Sequence, residues 1–202
     1  MGKGENFERE IPVDLSLWWS DGKRDDIFWR SSGSGSRAKT RAKTGKKTSN
    51  SYGDISYIDA IGEPLTAIFM FSLKRGYSKK KGKKVDPLAM IDSKQRTNLF
   101  EEWWIEAEED RLNAQRPASI VIFQRDYMRS CVLISRIQLQ PLISQSPIGF
   151  NSFSQLSFSI PTLHRGFVIM RYEHFFYWLS PNKIVEWANE LPNRGLSFSE
   201  HP

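Results

Sequence analysis

The sequence has 202 residues, of which 39% are hydrophobic and 26% charged, and a formal net charge of +6. These values are typical of a globular protein with one domain, or one domain and an extension, that buries a core. The single cysteine, Cys131, excludes an internal disulfide and a cysteine-rich zinc site. The apolar runs are too short to cross a bilayer, and charged residues rather than a signal peptide follow Met1. We therefore expect a cytoplasmic protein without a membrane partner.

The positive charge is concentrated in two segments that contain no acid, 37–50 and 74–84. Their basic residues are Arg37, Lys39, Arg41, Lys43, Lys46 and Lys47 in the first, and Lys74, Arg75, Lys79, Lys80, Lys81, Lys83 and Lys84 in the second. The rest of the chain has more acidic than basic residues. Such a scaffold is typical of a protein that binds a polyanion at one place, and solubilising surface charge is the alternative.

The first half of the chain predicts one helix followed by strands. Apolar residues at helical spacing predict a helix over 4–19, in which Pro12 is expected to mark the start or a kink. Strands are then predicted over 27–31, 52–59 and 65–74, with a Ser/Gly-rich basic loop over 32–51 and a turn at 61–64.

The second half predicts a helix, further strands and a final helix. Asp86 and Pro87 suit the start of a helix that runs to about Leu112. Strands are predicted over 118–125, 129–137, 156–160 and 165–172, in a region where 138–165 is otherwise loop. Ser180 and Pro181 then open a helix to Leu191. This order of elements predicts an α/β fold.

The strand predictions bring Asp54 and Lys74 together. An antiparallel pairing through the turn at 61–64 would place Asp54, at the start of one strand, beside Lys74, at the end of the next. Magnesium prefers carboxylate oxygens and water, and an adjacent lysine can orient or deprotonate an attacking water. Phosphodiester hydrolysis needs such a cation and such a water, and the two basic segments would hold the phosphates.

Four short motifs in this part of the chain resemble those of a known family. They are KGENFERE (3–10), RSSGSGSR (30–37), YGDI (52–55) and SLKRGY (72–77). They resemble the archaeal-type Holliday junction resolvases and related phage nucleases, which belong to the PD-(D/E)xK superfamily. The resemblance covers roughly residues 3–136, and it implies a restriction-endonuclease-like α/β core, a central mixed sheet flanked by helices, over 1–136. Residues 137–202 would be an extension packed on that core.

The resemblance also implies an activity and a set of site residues. The activity is that of a homodimer that cuts branched DNA, such as a four-way junction, or duplex DNA with Mg²⁺, or Mn²⁺ in its place, in a prokaryotic or phage-infected cell. Glu8 and Asp54 match the metal-binding acids, Lys74 matches the catalytic lysine, and the loop serine matches Ser32 or Ser34. The residues expected to contact DNA are Ser34, Arg37, Lys39, Arg41, Lys43, Lys46, Lys47, Arg75, Lys79, Lys80 and Lys81.

Ser72 departs from the family pattern, which is Glu-x-Lys where this chain has Ser72-Leu73-Lys74. A serine hydroxyl is neutral and is a poor ligand for Mg²⁺. Some restriction enzymes of the superfamily have Ser-x-Lys and supply the second acid from the following helix, which here offers Asp86 or Asp92. Alternatively, Glu8 and Asp54 suffice as metal ligands, with Ser72 a candidate catalytic position. The third explanation is a chain that has lost catalysis.

Three functions are therefore open at this point. The first is a magnesium-dependent DNA endonuclease. The second is a catalytically inactive DNA-binding protein with a degenerate nuclease site. The third is a structural or inhibitory protein whose basic segments bind an acidic protein.

Overall fold

The structure is a computed structural model that describes residues 3–31, 53–75, 99–145 and 149–194. The helices are α1 (Lys3–Trp19), α2 (Glu63–Ile68), α3 (Leu99–Ala114), α4 (Arg136–Gln145), α5 (Tyr172–Trp178) and α6 (Pro181–Arg194). The strands are β1 (Phe28–Arg30), β2 (Ile55–Tyr57), β3 (Phe69–Arg75), β4 (Ala118–Gln124), β5 (Cys131–Ser135), β6 (Gln155–Ile160) and β7 (Arg165–Arg171). Short 3-10 turns lie at Ala60–Gly62, Phe150–Ser152 and Pro161–Leu163.

The centre of the fold is a five-stranded mixed sheet in the order β3-β4-β5-β7-β6. β3 and β4 are parallel, and the other neighbouring pairs are antiparallel. β1 and β2 form a separate antiparallel pair. The predicted α/β class, with a mixed sheet flanked by helices, is confirmed. None of the described helices is long and apolar enough to cross a membrane.

Alternation along β3 divides the core between the two faces of the sheet, because successive side chains of a strand point to opposite sides. Phe69, Phe71 and Leu73 pack with α1, α2, α4, α5 and α6. Met70 packs with the aromatic and aliphatic residues of α3, which covers the other face. Lys74 is four residues after Met70, so its side chain points to the same face of the sheet, the one that α3 covers.

The predicted hairpin between 52–59 and 65–74 is wrong. Residues 63–68 form the helix α2, with Pro64 in its first turn, and β3 begins only at Phe69. β2 pairs with β1, and β3 pairs with β4, so the two segments are not strand partners. A short apolar run such as 65–71 has no periodicity that separates a buried strand from a buried helix.

Other differences lie at element boundaries and in the second half. α1 continues through Pro12, which neither starts nor ends it. The predicted helix from Asp86 is described only from Leu99 onward, so its first part lies outside the described residues. The region 138–165, predicted as loop apart from the strand at 156–160, contains most of α4. β4, β5, β6, β7 and α6 are found within a few residues of their predicted bounds.

The residues after 136, which the sequence places in an extension, supply two strands of the same sheet. β7 pairs with β5 over residues 167–171, and β6 pairs with β7. Phe175, Trp178 and Trp187 belong to the same buried cluster as Phe69 and Phe71. Both segments therefore contribute to one core.

Candidate active site

The position of Asp54 depends on the glycine before it. Gly53 has a φ of +74°, which favours glycine. A Cβ atom there would lie 2.6 Å from Met70 Sδ and 2.7 Å from the Phe71 carbonyl oxygen. This close approach lets the Asp54 amide donate to the Phe71 carbonyl at 2.8 Å, while the Ser31 amide donates to the Asp54 carbonyl at 3.0 Å. Asp54 is thus held against the edge of β3 that is not paired with β4.

The Asp54 carboxylate is fixed by β3 and is influenced by three charged neighbours. Its Oδ2 accepts a hydrogen bond of 2.6 Å from the Leu73 amide. Burial raises the pKa of Asp54 to about 6, and the charges of Glu8 and Glu106 act in the same direction. The Leu73 amide and the charge of Lys74 oppose this rise in the pKa. Asp54 is therefore a partly buried acid under the influence of one ammonium group and two carboxylates.

Lys74 lies near the end of β3 and is only 12% exposed. Its Nζ donates to Glu106 Oε2 at 2.6 Å. Glu106 is half exposed and lies on α3, the helix that covers this face of the sheet. The ion pair therefore fixes an ammonium group between a strand and a helix, close to Asp54.

Glu8 approaches the same place from α1. Its Oε2 lies 2.7 Å from Arg30 Nε, at the end of β1. Its charge contributes to the raised pKa of Asp54. Glu8, Asp54 and Lys74, three of the residues that the sequence assigns to catalysis and metal binding, therefore interact electrostatically.

Ser72 is buried at 6% exposure, and its position in the β3 alternation places it on the α3 side with Lys74. Asp86 and Asp92 lie outside the described residues. Among the residues that the structure describes, no three His, Cys, Asp or Glu side chains gather closely enough to hold a metal ion.

Most of the predicted DNA contacts lie outside the described residues, namely Ser34 and the basic residues of 37–47 and 79–81, as does Ser32. Arg75 is described, and its guanidinium carbon lies 5.7 Å from the centre of the Phe7 ring. Its Nε and Nη1 are buried, with no hydrogen-bond partner in the described part of the chain. Arg75 therefore lies against α1, on the opposite side of β3 from Lys74.

Comparison with protein-family models, curated proteins and solved structures finds no match. The chemistry of this chain is therefore inferred from its own residues.

Glu106 is the site residue that the sequence does not single out. It lies in the acidic stretch EEWWIEAEED (101–110), where several carboxylates have the same local surroundings. Only the crossing of α3 over β3 decides which of them meets Lys74. The acids that the sequence offers from the helix after the lysine are Asp86 and Asp92, which lie outside the described residues, whereas Glu106 lies on α3.

Proposed function

We propose that this chain is a divalent-metal-dependent nuclease with a restriction-endonuclease-like core, acting on branched or duplex DNA through Asp54, Glu106, Glu8 and Lys74. The observation that carries the proposal is the meeting of Asp54 and Lys74 at the carboxyl end of β3, with two further carboxylates beside them. An acid, an ammonium group and further acids in one place are the parts that phosphodiester hydrolysis requires.

The donor set fits a magnesium ion. Magnesium is commonly bound by one or two protein carboxylates, several waters and the substrate phosphate, so a group of three protein ligands is not required. The negative charges of Glu8 and Glu106 contribute to the raised pKa of Asp54, and a cation bound by one or two of these carboxylates would offset that repulsion. When bound, the ion would neutralise charge on the transferring phosphoryl group and lower the pKa of its water.

The protein groups have distinct roles in this proposal. The Leu73 amide holds the Asp54 carboxylate in place, and Arg30 holds that of Glu8. Glu106 positions the Lys74 ammonium, which is then set to orient the attacking water and to stabilise the developing charge. These contacts fix the charged groups before any substrate arrives.

Ser72 supports a second candidate, DNA binding without cleavage. Position 72 shares the α3 side of β3 with Lys74, so a carboxylate there would have been a further ligand. With serine at this position, the site has one charge fewer than the family pattern implies. The same surface would then bind DNA without hydrolysing it.

One experiment separates these candidates. Purified protein is incubated with supercoiled plasmid and with a labelled four-way junction, with and without Mg²⁺, while retention of the junction is measured in parallel. We expect Mg²⁺-dependent cleavage that Lys74→Gln abolishes and that Glu106→Gln reduces at least tenfold, about 1.4 kcal/mol of transition-state stabilisation. Glu186→Gln, an exposed acid on α6, is the matched control and is expected to cleave normally.

The other outcomes are equally definite. Retention of the junction without cleavage at any Mg²⁺ concentration would support the second candidate. Absence of both retention and cleavage would contradict both candidates and favour an acidic protein as the partner. Sedimentation of the same sample tests the proposed homodimer, which predicts twice the mass of the 23.4 kDa chain.

A further inference from the structure

A row of residues crosses the sheet at the level of the candidate site. The strand registers pair Lys74 with Phe123, Phe123 with Cys131, and Cys131 with Arg171. Neighbouring strands are about 4.8 Å apart, so the Cα atoms of Lys74 and Arg171 are separated by roughly 14 Å. The turn between β4 and β5 projects from the middle of this row, beside the end of β3.

This turn presents a large aromatic side chain to solvent. Tyr127 is 98% exposed, and Met128 beside it is 53% exposed. Tyr127 also has a φ of +62°, a conformation that a bulky side chain rarely adopts. The turn is closed by a hydrogen bond from the Met128 amide to the Arg125 carbonyl, and Gln124 Nε2 donates to the Met128 carbonyl at 2.9 Å. Unfavourable backbone conformations occur most often at functional sites, so this conformation at an exposed aromatic residue indicates a function for the turn.

Tyr127 lies among charged residues of both signs, with Asp126 next to it in the turn and three arginines around the turn. Arg125 and Arg129 lie on the two sides of the turn, and the exposed Arg171 lies in the row described above. Arg129 pairs with Glu173 at 3.1 Å, with both side chains largely exposed. Arginines outnumber acids around this aromatic ring, which is level with Lys74. This suits a nucleic acid better than an apolar protein surface, because phosphates pair with arginine and bases stack on aromatic rings.

We propose that the turn Arg125–Arg129, together with Arg171, binds unpaired nucleotides. Tyr127 stacks on an unpaired base, and Arg125 and Arg171 contact the neighbouring phosphates. The contact rests on the proposed function, and it specifies the substrate class: DNA with unpaired bases at a branch or an end is delivered to the Asp54–Lys74 site. Stacking of this kind tolerates any base, so the contact selects DNA structure and not sequence.

The test measures binding of the full chain without metal, so that cleavage does not interfere. Fluorescence anisotropy gives the Kd for a labelled duplex and for a fork that has the same duplex with two unpaired arms. A 2-aminopurine at the branch of the fork reports stacking through quenching. The variants are Tyr127→Ala, Tyr127→Phe and Arg171→Gln. The controls are Ile137→Ala and Arg136→Gln, both exposed at the start of α4, beyond the opposite end of β5.

We expect Tyr127→Ala to weaken fork binding about 5- to 150-fold, the range for loss of one stacked base, and to relieve the 2-aminopurine quenching. Duplex binding should change by less than about twofold in the same variant. Tyr127→Phe keeps the ring and should bind the fork like the wild type. Arg171→Gln should weaken fork binding and lower its salt dependence, since one phosphate contact is lost. Ile137→Ala and Arg136→Gln should change neither Kd.

Failure of this inference and failure of the proposed function give different results. Equal fork affinity in Tyr127→Ala and the wild type would overturn the role of the turn, while Mg²⁺-dependent cleavage would still support the nuclease. Loss of fork binding in Tyr127→Ala by a protein that cleaves nothing would support the contact and overturn catalysis. A wild-type chain that binds neither DNA would overturn both, and a protein partner for the turn would then be favoured.

Discussion

Gly53 has the positive φ that allows Asp54 to approach the edge of β3, and the space around it leaves no room for a Cβ atom. Gly22 has a similar φ of +76° but nothing within 4 Å of the equivalent position. Substitution of Gly22 by alanine would therefore strain only the backbone, whereas the same substitution at Gly53 would also cause a steric clash.

We predict that Gly53→Ala lowers the free energy of unfolding by about 2–5 kcal/mol, because a left-handed conformation costs about 1–2 kcal/mol and overpacking a further 1–3. Gly22→Ala is expected to lower it by about 1–2 kcal/mol only. Urea unfolding of both variants and the wild type measures the difference. Equal losses in the two variants would show that the close approach of Gly53 to β3 is unimportant.

Asp54 gives a prediction for the pH dependence of stability. Its pKa is raised to about 6 in the folded protein, from an ordinary value of 3.8. Between these two values the folded chain holds a proton that the unfolded chain has released, so stability falls as the pH rises through this window. The full shift corresponds to roughly 3 kcal/mol.

Asp54→Asn removes the ionisation and is expected to be more stable than the wild type at pH 7 by up to roughly 3 kcal/mol, with little difference at pH 4. It should also be inactive as a nuclease. Urea unfolding without metal at several pH values measures this gap, and Asp25→Asn, at an exposed position, is the control. A gap that does not grow between pH 4 and pH 7 would show that the buried carboxylate is not destabilising.

At the level of single residues, the sequence is most informative where a short motif marks the position of a residue. Asp54 and Lys74 are predicted from the motifs YGDI (52–55) and SLKRGY (72–77) and from their places at the ends of two predicted strands. Glu106 has no such local mark, since its role arises from the packing of α3 on β3 across 32 residues of chain. Arg75, expected on the DNA side, lies against Phe7 because alternation turns it away from Lys74.

Among the elements, β3 has the largest influence on the site, since its amides and alternating side chains position Asp54, Ser72 and Lys74. The predicted hairpin was wrong, yet Asp54 and Lys74 still lie close together. Two hydrogen bonds join Asp54 to the unpaired edge of β3, one to the Phe71 carbonyl and one from the Leu73 amide. These two bonds bring Asp54 close to Lys74 without the strand pairing that the predicted hairpin would have supplied. Pro64 is the sequence feature that could have predicted α2, because proline is favoured in the first turn of a helix.

Ser72 allows a test of whether the site lacks one ligand. We predict that Ser72→Glu lowers the free energy of unfolding without metal by at least about 1–3 kcal/mol, the cost of added volume at a buried position. Saturating Mg²⁺ should restore about 2.7 kcal/mol at 100 times its Kd, and cleavage should increase.

Ser72→Gln has the same size without the charge, and it provides the control for Ser72→Glu. It should lose similar stability, gain nothing from Mg²⁺ and cleave no faster than the wild type. Thermal unfolding with and without Mg²⁺, together with plasmid cleavage, measures all three effects. A similar response of the Glu and Gln variants to Mg²⁺ would contradict a metal site beside position 72.

At the scale of the whole molecule, Glu108 joins the two halves of the chain. Its carboxylate, which is partly buried, accepts hydrogen bonds from Arg111 on α3 and Ser119 on β4, and from Gln138 on α4 and Arg165 on β7. The sequence predicts the helix that contains Arg111 and the strands that contain Ser119 and Arg165, but not their common partner. A resemblance that ends near residue 136 carries no information about how later strands join the sheet.

A chain that ends at residue 136 tests whether the first segment is a domain by itself. It would keep β3, β4 and β5 but would lose β7, which pairs with β5, and the aromatic residues Phe175, Trp178 and Trp187 that cover one face of the sheet. Loss of these residues would expose that face of the sheet to water. Each large apolar side chain that is no longer buried lowers the free energy of unfolding by about 1.5–3 kcal/mol. This total is comparable with the whole stability of a domain, about 5–15 kcal/mol.

We therefore predict that the 1–136 chain has no cooperative urea transition and no near-ultraviolet circular dichroism. A chain that ends after Arg194 retains every helix and strand named above, and it should unfold like the full chain. A cooperative transition of the 1–136 chain would instead establish the boundary that the sequence predicts.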